Sequence, residues 1–307
     1  MLNGILILDK PRDFTSHDAV AKLRGMLRQK KIGHAGTLDP MATGVLVVLL
    51  GNATRASDHA SGQDKTYRAR LRLGTVTDTQ DITGTVLAQN PGNVPEKALR
   101  AALEALSGES RQLPPMYSAV QVGGKRLYDL ARRGQEVARD SRAIHTELTL
   151  LPREAGLPET DWDLSARCSK GTYVRTLCHD LGAALGCGGC MAELRRERSG
   201  RFTLEDALTF DQVRECLENG TLSSHIFPTD TVFSDLPAVF LNEAGDIRAS
   251  HGAFFTEQHL ARGILPAEGE RCRVYTSEGR FCQVGEGGRL DMGANALFCK
   301  INFPTLP

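Results

Sequence analysis

Apolar residues recur along the chain at two spacings. Short unbroken runs, Ile5-Leu6-Ile7-Leu8 and Val45-Leu46-Val47-Val48-Leu49-Leu50, read as buried strands. Helical stripes alternate with them. Val20, Leu23 and Leu27 follow Thr15 or Ser16 as cap, with Asp18 in the first turn. Leu99, Leu103 and Leu106 follow Pro95 and stop at Gly108, and Val174, Leu177, Leu181 and Leu185 stop at Gly186. Arg175 lies one step off the last stripe and points elsewhere. Residues 65–73 alternate basic with smaller or apolar residues, as in a strand with one wet face. Further strands are predicted at 85–88, 117–122, 142–151 and 162–168, and helices at 52–61 and 127–133. Met191 to Gly200 leads into another strand. Between Phe227 and Pro237 the pattern loosens, with Pro228 and Pro237 as breaks. Beyond it come a short helix punctuated by Gly245 and Gly252, a hairpin around Ser277-Glu278-Gly279, and a last strand from Leu297 to Phe303. The expected fold is α+β, with a mixed sheet and flanking helices in residues 1–232 and a small β-rich domain in residues 236–307.

One stretch interrupts this alternation, Lys31-Ile32-Gly33-His34-Ala35-Gly36-Thr37-Leu38-Asp39-Pro40-Met41-Ala42-Thr43-Gly44. It joins a basic amphipathic helix to the Val45–Leu50 run. Its glycines permit turns that other residues would strain. Pro40 pushes the backbone of Asp39 away from helix toward extended conformations. A single carboxylate is thus held on a loop braced by a strand and a helix, a setting in which catalytic groups are often found. Taken alone, Asp-Pro does no more than start a turn.

Length and charge narrow the picture. The 307 residues suggest about two domains and are ample for a core. Acidic and basic residues balance at 37 each, so nucleic-acid binding would need local patches. Three basic clusters offer them: Lys22, Arg24, Arg28, Lys30 and Lys31; Arg68, Arg70 and Arg72; and Arg195, Arg196, Arg198 and Arg201. Ile5–Leu8 is too short for a signal peptide, and Val45–Leu50 is too short to cross a bilayer. A soluble cytoplasmic protein without membrane contact is expected. The eight cysteines include one C-x-x-C, Cys187 to Cys190, with no second pair at zinc spacing, so reduced thiols are expected.

The loop from Lys31 to Gly44 resembles the signature of the TruB family, the tRNA pseudouridine-55 synthases. Leu8-Asp9-Lys10-Pro11, Asp64-Lys65-Thr66-Tyr67, Gly74-Thr75-Val76-Thr77-Asp78-Thr79, Pro115-Met116-Tyr117-Ser118-Ala119 and Lys170-Gly171-Thr172-Tyr173-Val174-Arg175 resemble the same family in the same order. The resemblance implies a pseudouridine-synthase-type sheet. The final β-rich segment resembles, by position, a PUA-type RNA-binding module.

It also implies roles. Asp39 matches the catalytic carboxylate and Arg175 the arginine that pairs with it. Tyr67 matches the tyrosine that stacks on the uracil. Tyr173 matches a second pocket tyrosine, His34 a histidine that helps extrude the nucleotide, and Leu194 a pocket wall. Lys10 and Lys65 are candidate phosphate or pocket-support groups. The implied partner is tRNA through its TΨC stem-loop, without a guide RNA, and a monomer is expected. Pseudouridine formation breaks one bond from ribose C1′ to uracil N1 and makes one from C1′ to C5. It is an isomerisation, so no cofactor or metal is expected. Two other readings are weaker. A non-catalytic tRNA-binding or folding protein would not need Asp39, Tyr67 and Arg175 together, and an aspartate-nucleophile phosphatase would need a second Asp where Met41 stands.

Overall fold

A computed structural model of the chain describes residues 1–291 and 293–303. The first half runs β1 (Gly4–Lys10), α1 (Ser16–Leu27), β2 (Ile32–Ala35), β3 (Thr43–Leu50), α2 (Ser57–Gly62), β4 (Lys65–Leu73), β5 (Thr75–Thr77), β6 (Val86–Gln89), α3 (Glu96–Leu106) and β7 (Gly108–Gln112). After it come β8 (Gln121–Val122), β9 (Lys125–Arg126), α4 (Leu127–Ala131), β10 (Arg142–Leu150), β11 (Asp161–Cys168), α5 (Val174–Ala184), β12 (Gly189–Ser199), β13 (Phe202–Thr203) and α6 (Phe210–Glu218). Among the described residues, nine strands form the main sheet. Its principal order is β1-β3-β12-β4-β11-β10-β7, with β2 added to β3 and β13 to β12. The β3–β12 pair is parallel and its other pairs are antiparallel, so the sheet is mixed.

The stripes read from sequence are the faces that pack. Ala19, Val20 and Leu23 of α1 close over Leu6, Leu8, Leu46 and Val48. The helix starts where expected, with Thr15 as cap and Asp18 closing a capping box. Leu99 and Leu103 of α3 and Val174, Leu177 and Leu181 of α5 cover β4, β11 and β12 through Ala69, Leu71, Leu164 and Met191.

Several elements depart from expectation. The predicted helix at 52–61 is a 3-10 turn, Gly51–Ala56, followed by α2, whose small residues Ala53, Ala56 and Ala60 pack flat on the sheet. The predicted strand 117–122 shrinks to β8, because residues 116–119 bend to meet the helix behind them. Met191 to Gly200 leads into the short strand β13, as expected, and itself forms most of β12. β2 and β7 carried no apolar alternation, the first being short and glycine-containing and the second a polar edge strand.

After α6 the chain forms a second sheet from β14 (Ala238–Leu241), β15 (Leu260–Arg262), β16 (Arg271–Tyr275), β17 (Phe281–Arg289) and β18 (Asn295–Asn302), in the order β15-β14-β16-β17-β18, with the helix Glu243–Ser250 beside it. The loosened segment before it is packed. Phe233 is fully buried against His59, Phe281 and Phe303, in a cluster that joins Ile5 and Val45 of the first sheet to Val284 of the second. None of the helices among the described residues is long and apolar enough to cross a membrane.

Phe233 therefore belongs to both halves. Phe233→Ala should lower stability by about 3–5 kcal/mol, the range for deleting a buried aromatic ring. Denaturant unfolding measures it, and a loss below about 1 kcal/mol would show that the halves do not depend on this cluster.

Candidate active site

The Asp39 loop is pinned from several sides by groups that few loops gather. Ser16, next to the cap of α1, accepts from the amide of Leu38 at 2.8 Å and donates to its carbonyl at 3.2 Å. Lys10 is wholly buried, and its ammonium donates to the carbonyls of Pro11, Phe14 and Pro40 at 2.9, 2.6 and 3.3 Å. Arg196 donates to the carbonyl of Gly36 at 3.0 Å. Gly36 and Gly44 have φ of +76° and +100°. A Cβ on Gly44 would lie 2.2 Å from the carbonyl oxygen of Arg196, so no side chain fits there.

Asp39 emerges from this frame with its side chain 37 % exposed, facing Arg175. Arg175 stands in the first turn of α5, one position off the apolar stripe. Its Nε lies 2.9 Å from one Asp39 oxygen, and a terminal nitrogen lies 3.4 Å from the other. The rest of the guanidinium is also engaged. It donates to the carbonyls of Tyr117 and Thr79 at 2.8 and 3.1 Å and lies 3.6 Å from Asp81. Asp81 is buried and is held by the hydroxyls of Thr79 and Thr83 and the amide of Thr83. The planar fork is thus fixed in orientation before anything binds. Burial pushes the Asp39 carboxyl up from its usual range. Arg175 opposes that, Asp81 adds to it, and Lys10 pulls it back down.

Tyr67 and Leu194 share a buried cluster with Leu38 and Met41 on either side of Asp39. Burial raises the Tyr67 phenol and the neighbouring Arg196 guanidinium opposes it, so the hydroxyl is neutral at ordinary pH. His34 is half-buried on β2, and its Nδ1 is enclosed with no hydrogen-bond partner among the described residues. Burial, then Arg196, holds it toward the neutral imidazole. Tyr173 caps α5, and its backbone is gripped at both ends by the Gln112 amide. The structure thus brings Asp39, Arg175, Tyr67 and Leu194 together. Lys10 and Lys65 lie inside the protein, where burial draws both ammonium groups down to about 8. Of the two roles read for them, support of the pocket fits this placement and phosphate contact does not.

The basic clusters change character in three dimensions. Arg68 and Arg70 pair with Asp163, and Arg72 with Asp161, across the β4–β11 ladder. The wet face of β4 is neutralised and is not a phosphate track. Arg195 pairs with Asp9 at 2.8 Å, and Arg196 on the other face is buried. Asp81 and Arg196 are the site residues that sequence reading missed. A signal existed for Arg196: it is two residues from Leu194 in a strand, so both share a face. Asp81 lay in a polar loop with nothing to distinguish it from Asp78. Among the described residues no three His, Cys, Asp or Glu side chains gather as a metal site. Cys187 turns its thiol toward the carbonyls of Gly182 and Gly188.

Two family models match consecutive stretches: the TruB family pseudouridylate synthase N-terminal domain over residues 24–174, and the tRNA pseudouridylate synthase B C-terminal domain over residues 175–234. A relative from Opitutus terrae named tRNA pseudouridine synthase B is 47 % identical over 241 residues, covering 78 % of this chain and 96 % of its own. One of the same name from Syntrophomonas wolfei is 40 % identical over 305 residues and covers 98 % of both. Among solved structures, an H/ACA ribonucleoprotein bound to a substrate RNA containing 2′-deoxyuridine superposes with a TM-score of 0.74 at 26 % identity, covering 98 % of this chain and 85 % of its own. A Cbf5-Nop10-Gar1 complex gives 0.76 at 28 %, with the same coverage.

Arg175 is the only cation in contact with both Asp39 and Asp81 among the described residues. Arg175→Met should cost about 3–5 kcal/mol of stability, because it strands Asp81 in the interior. It should also move the Asp39 titration further up, since the opposing charge is gone. Carboxyl ¹³C NMR reads the midpoint, and an unmoved midpoint would mean that the guanidinium does not set it.

Proposed function

The chain belongs to the TruB family of pseudouridylate synthases and isomerises a uridine of tRNA to pseudouridine, and we propose that Asp39 is the carboxylate that performs the reaction on a uridine swung out of the TΨC loop, by resemblance position 55. The observation that carries this is the pair of Asp39 and Arg175 at 2.9 Å on a loop pinned at Leu38, Pro40 and Gly36. C1′–N1 breaks and C1′–C5 forms, while C5 gives up its hydrogen as a proton and N1 takes one, so the enzyme must assist a cleavage, hold the freed base as it turns and manage one proton. A carboxylate acts as nucleophile or base and then departs. Arg175 favours its anion and aims its lone pairs. A base inside a folded loop must leave its stack, and an aromatic face can hold it outside. Tyr67 is read as that face, Leu194 as a wall of the pocket, and His34 and Tyr173 as further contacts to the extruded nucleotide.

Cations that have no ion-pair partner among the described residues lie on elements that feed the site. Arg28 and Lys30 follow α1, Lys125, Arg132 and Arg133 surround the hairpin behind Tyr117, and Lys170 precedes α5. These exposed groups suit the phosphates of a tRNA stem-loop, and the C-terminal sheet suits a supporting RNA contact. We read the enzyme as a cytoplasmic monomer that works without a guide RNA. Relatives matched over their full length and named tRNA pseudouridine synthase B support action on tRNA itself. The H/ACA and Cbf5 structures share the fold at lower identity.

Asp39→Asn keeps size and hydrogen bonding but removes the anion. Pseudouridine formation on an unmodified tRNA transcript should vanish while tRNA binding remains. Turnover within about tenfold of wild type would remove Asp39 from the mechanism. Acid should act in the same direction. The working form is the anion and burial raises its pKa, so the rate should fall as pH drops with a midpoint above about 3.9, the ordinary aspartate value. A pH–rate profile flat down to that value would contradict it. Tyr67→Phe should bind tRNA more tightly than Tyr67→Leu, since base–aromatic stacking is worth roughly 1–3 kcal/mol. Equal affinities would show that the ring is not the platform.

A further inference from the structure

Helices α1 and α6 begin on threonines whose hydroxyls close capping boxes. Helix α5, which carries Arg175, begins on Tyr173, whose side chain makes no cap bond among the described residues. The start of this helix is held from outside instead. Gln112 ends the edge strand β7 and is 4 % exposed. Its amide oxygen accepts from the backbone N–H of Tyr173 at 2.8 Å, and its amide nitrogen donates to the carbonyl of Tyr173 at 3.1 Å. Tyr173 is extended, with φ −103° and ψ 109°, so its two polar groups turn to the same side. One side chain thus pairs both, as a neighbouring strand would. The chain after Gln112 returns to the same helix. Leu113-Pro114-Pro115 is stiff, because the prolines fix φ. Just beyond it, the carbonyl of Tyr117 accepts from Arg175 at 2.8 Å. On another side of the turn the Thr176 hydroxyl donates to the Gln80 side chain at 2.8 Å.

We propose that Gln112 is a positioning residue for the isomerisation: by gripping the backbone of Tyr173 it fixes the first turn of α5, and with it the distance and tilt of the Arg175 guanidinium against Asp39. The proposal rests on the reading of Asp39 as the reacting carboxylate. Its logic is leverage. Arg175 lies two residues beyond the grip. The carbonyls of Tyr117 and Thr79 meet the far end of its side chain, whereas its Cα is placed by the helix alone. Without Gln112 the turn keeps its buried contact at Val174 and its bond at Thr176, and can pivot about them. The 2.9 Å contact to Asp39 would then open. The two bonds also set the strut: β7 delivers Gln112 to Tyr173, and the prolines deliver Tyr117 to Arg175. An apolar side chain of the same length would fill the space and hold neither backbone group.

Gln112→Met keeps length and bulk and removes both bonds. Three quantities separate positioning from mere support of the fold: the single-turnover rate at saturating unmodified tRNA transcript, the tRNA affinity, and the Asp39 midpoint read by carboxyl ¹³C NMR. In folded Gln112→Met protein the rate should fall about 100-fold, as a displacement near 1 Å does. Affinity should change by less than about threefold, because the loss falls on the chemical step. The Asp39 midpoint should rise, since the opposing guanidinium is farther off while Asp81 and Lys10, the other charges acting on it, stay in place. A group that only supports the fold would lower the melting temperature and leave all three unchanged. A wild-type rate, an unmoved midpoint, or a loss confined to affinity would overturn the proposal. Gln112→Asn is the milder variant for the case in which the methionine protein does not fold. It keeps an amide but draws it back by one methylene, so it reaches at most one of the two groups. Its rate should fall about tenfold, and a wild-type rate would overturn the proposal equally. Asp39→Asn with wild-type turnover would instead bring down the reading of Asp39 itself, whatever the Gln112 variants do.

Discussion

The Asp39 carboxylate stands beside an apolar cluster and faces a cation that cannot wander, and much of the fold is arranged around that pair. Arg175 reaches Asp39 from the start of α5, while its remaining donors are taken by Tyr117, Thr79 and Asp81. The helix that carries it is itself fixed by Val174, Leu177 and Leu181 against the central strands. The two sides of the pair come from residues 136 apart in sequence, joined only once the sheet has formed. Rotation of α5, slippage of β12 against β4, or loosening of the glycine turns would each move one charge away from the other. In a partly buried setting the cost of that separation is large.

The sheet handles its own charges differently on its two sides. On the wet side, arginines of β4 meet aspartates of β11 in cross-strand pairs that hold the strands in register and leave little net field. On the buried side, Lys10, Lys65 and Arg196 lie beneath the Asp39 loop and turn their donors to backbone carbonyls. Basic residues that look alike in sequence therefore do unlike work. Some neutralise a ladder, some hold a loop from below, and those left exposed on the α1 end and the hairpin behind Tyr117 are available to phosphate.

Much of this was legible beforehand, for identifiable reasons. Helices with clean apolar stripes and a cap, such as α1, and strands with unbroken apolar runs, such as β1 and β3, follow from local rules. The Asp39 loop was legible as an irregular stretch with one carboxylate, and the role proposed for it came only through the family motif. What escaped depended on long-range partners. β7 is polar and lies at an edge, so no periodicity marks it. The β4 arginines read as an RNA surface because Asp161 and Asp163 are about ninety residues away. Asp81 gains meaning only when Arg175 arrives beside it. The segment before the second sheet looked like a break because its prolines hide the role of Phe233 as a shared core residue.

The central claim is that one oriented carboxylate isomerises one uridine in tRNA with nothing added. Tritium release from an unmodified tRNA transcript labelled at uridine C5, read together with mapping of pseudouridine, tests it most directly, because forming the C1′–C5 bond expels the hydrogen of C5. Protein dialysed against chelator, supplied with no guide RNA and no cofactor, should release about one equivalent per tRNA, with pseudouridine mapping to a single loop position. No release, release spread over many uridines, or release that requires an added metal or guide RNA would contradict the account.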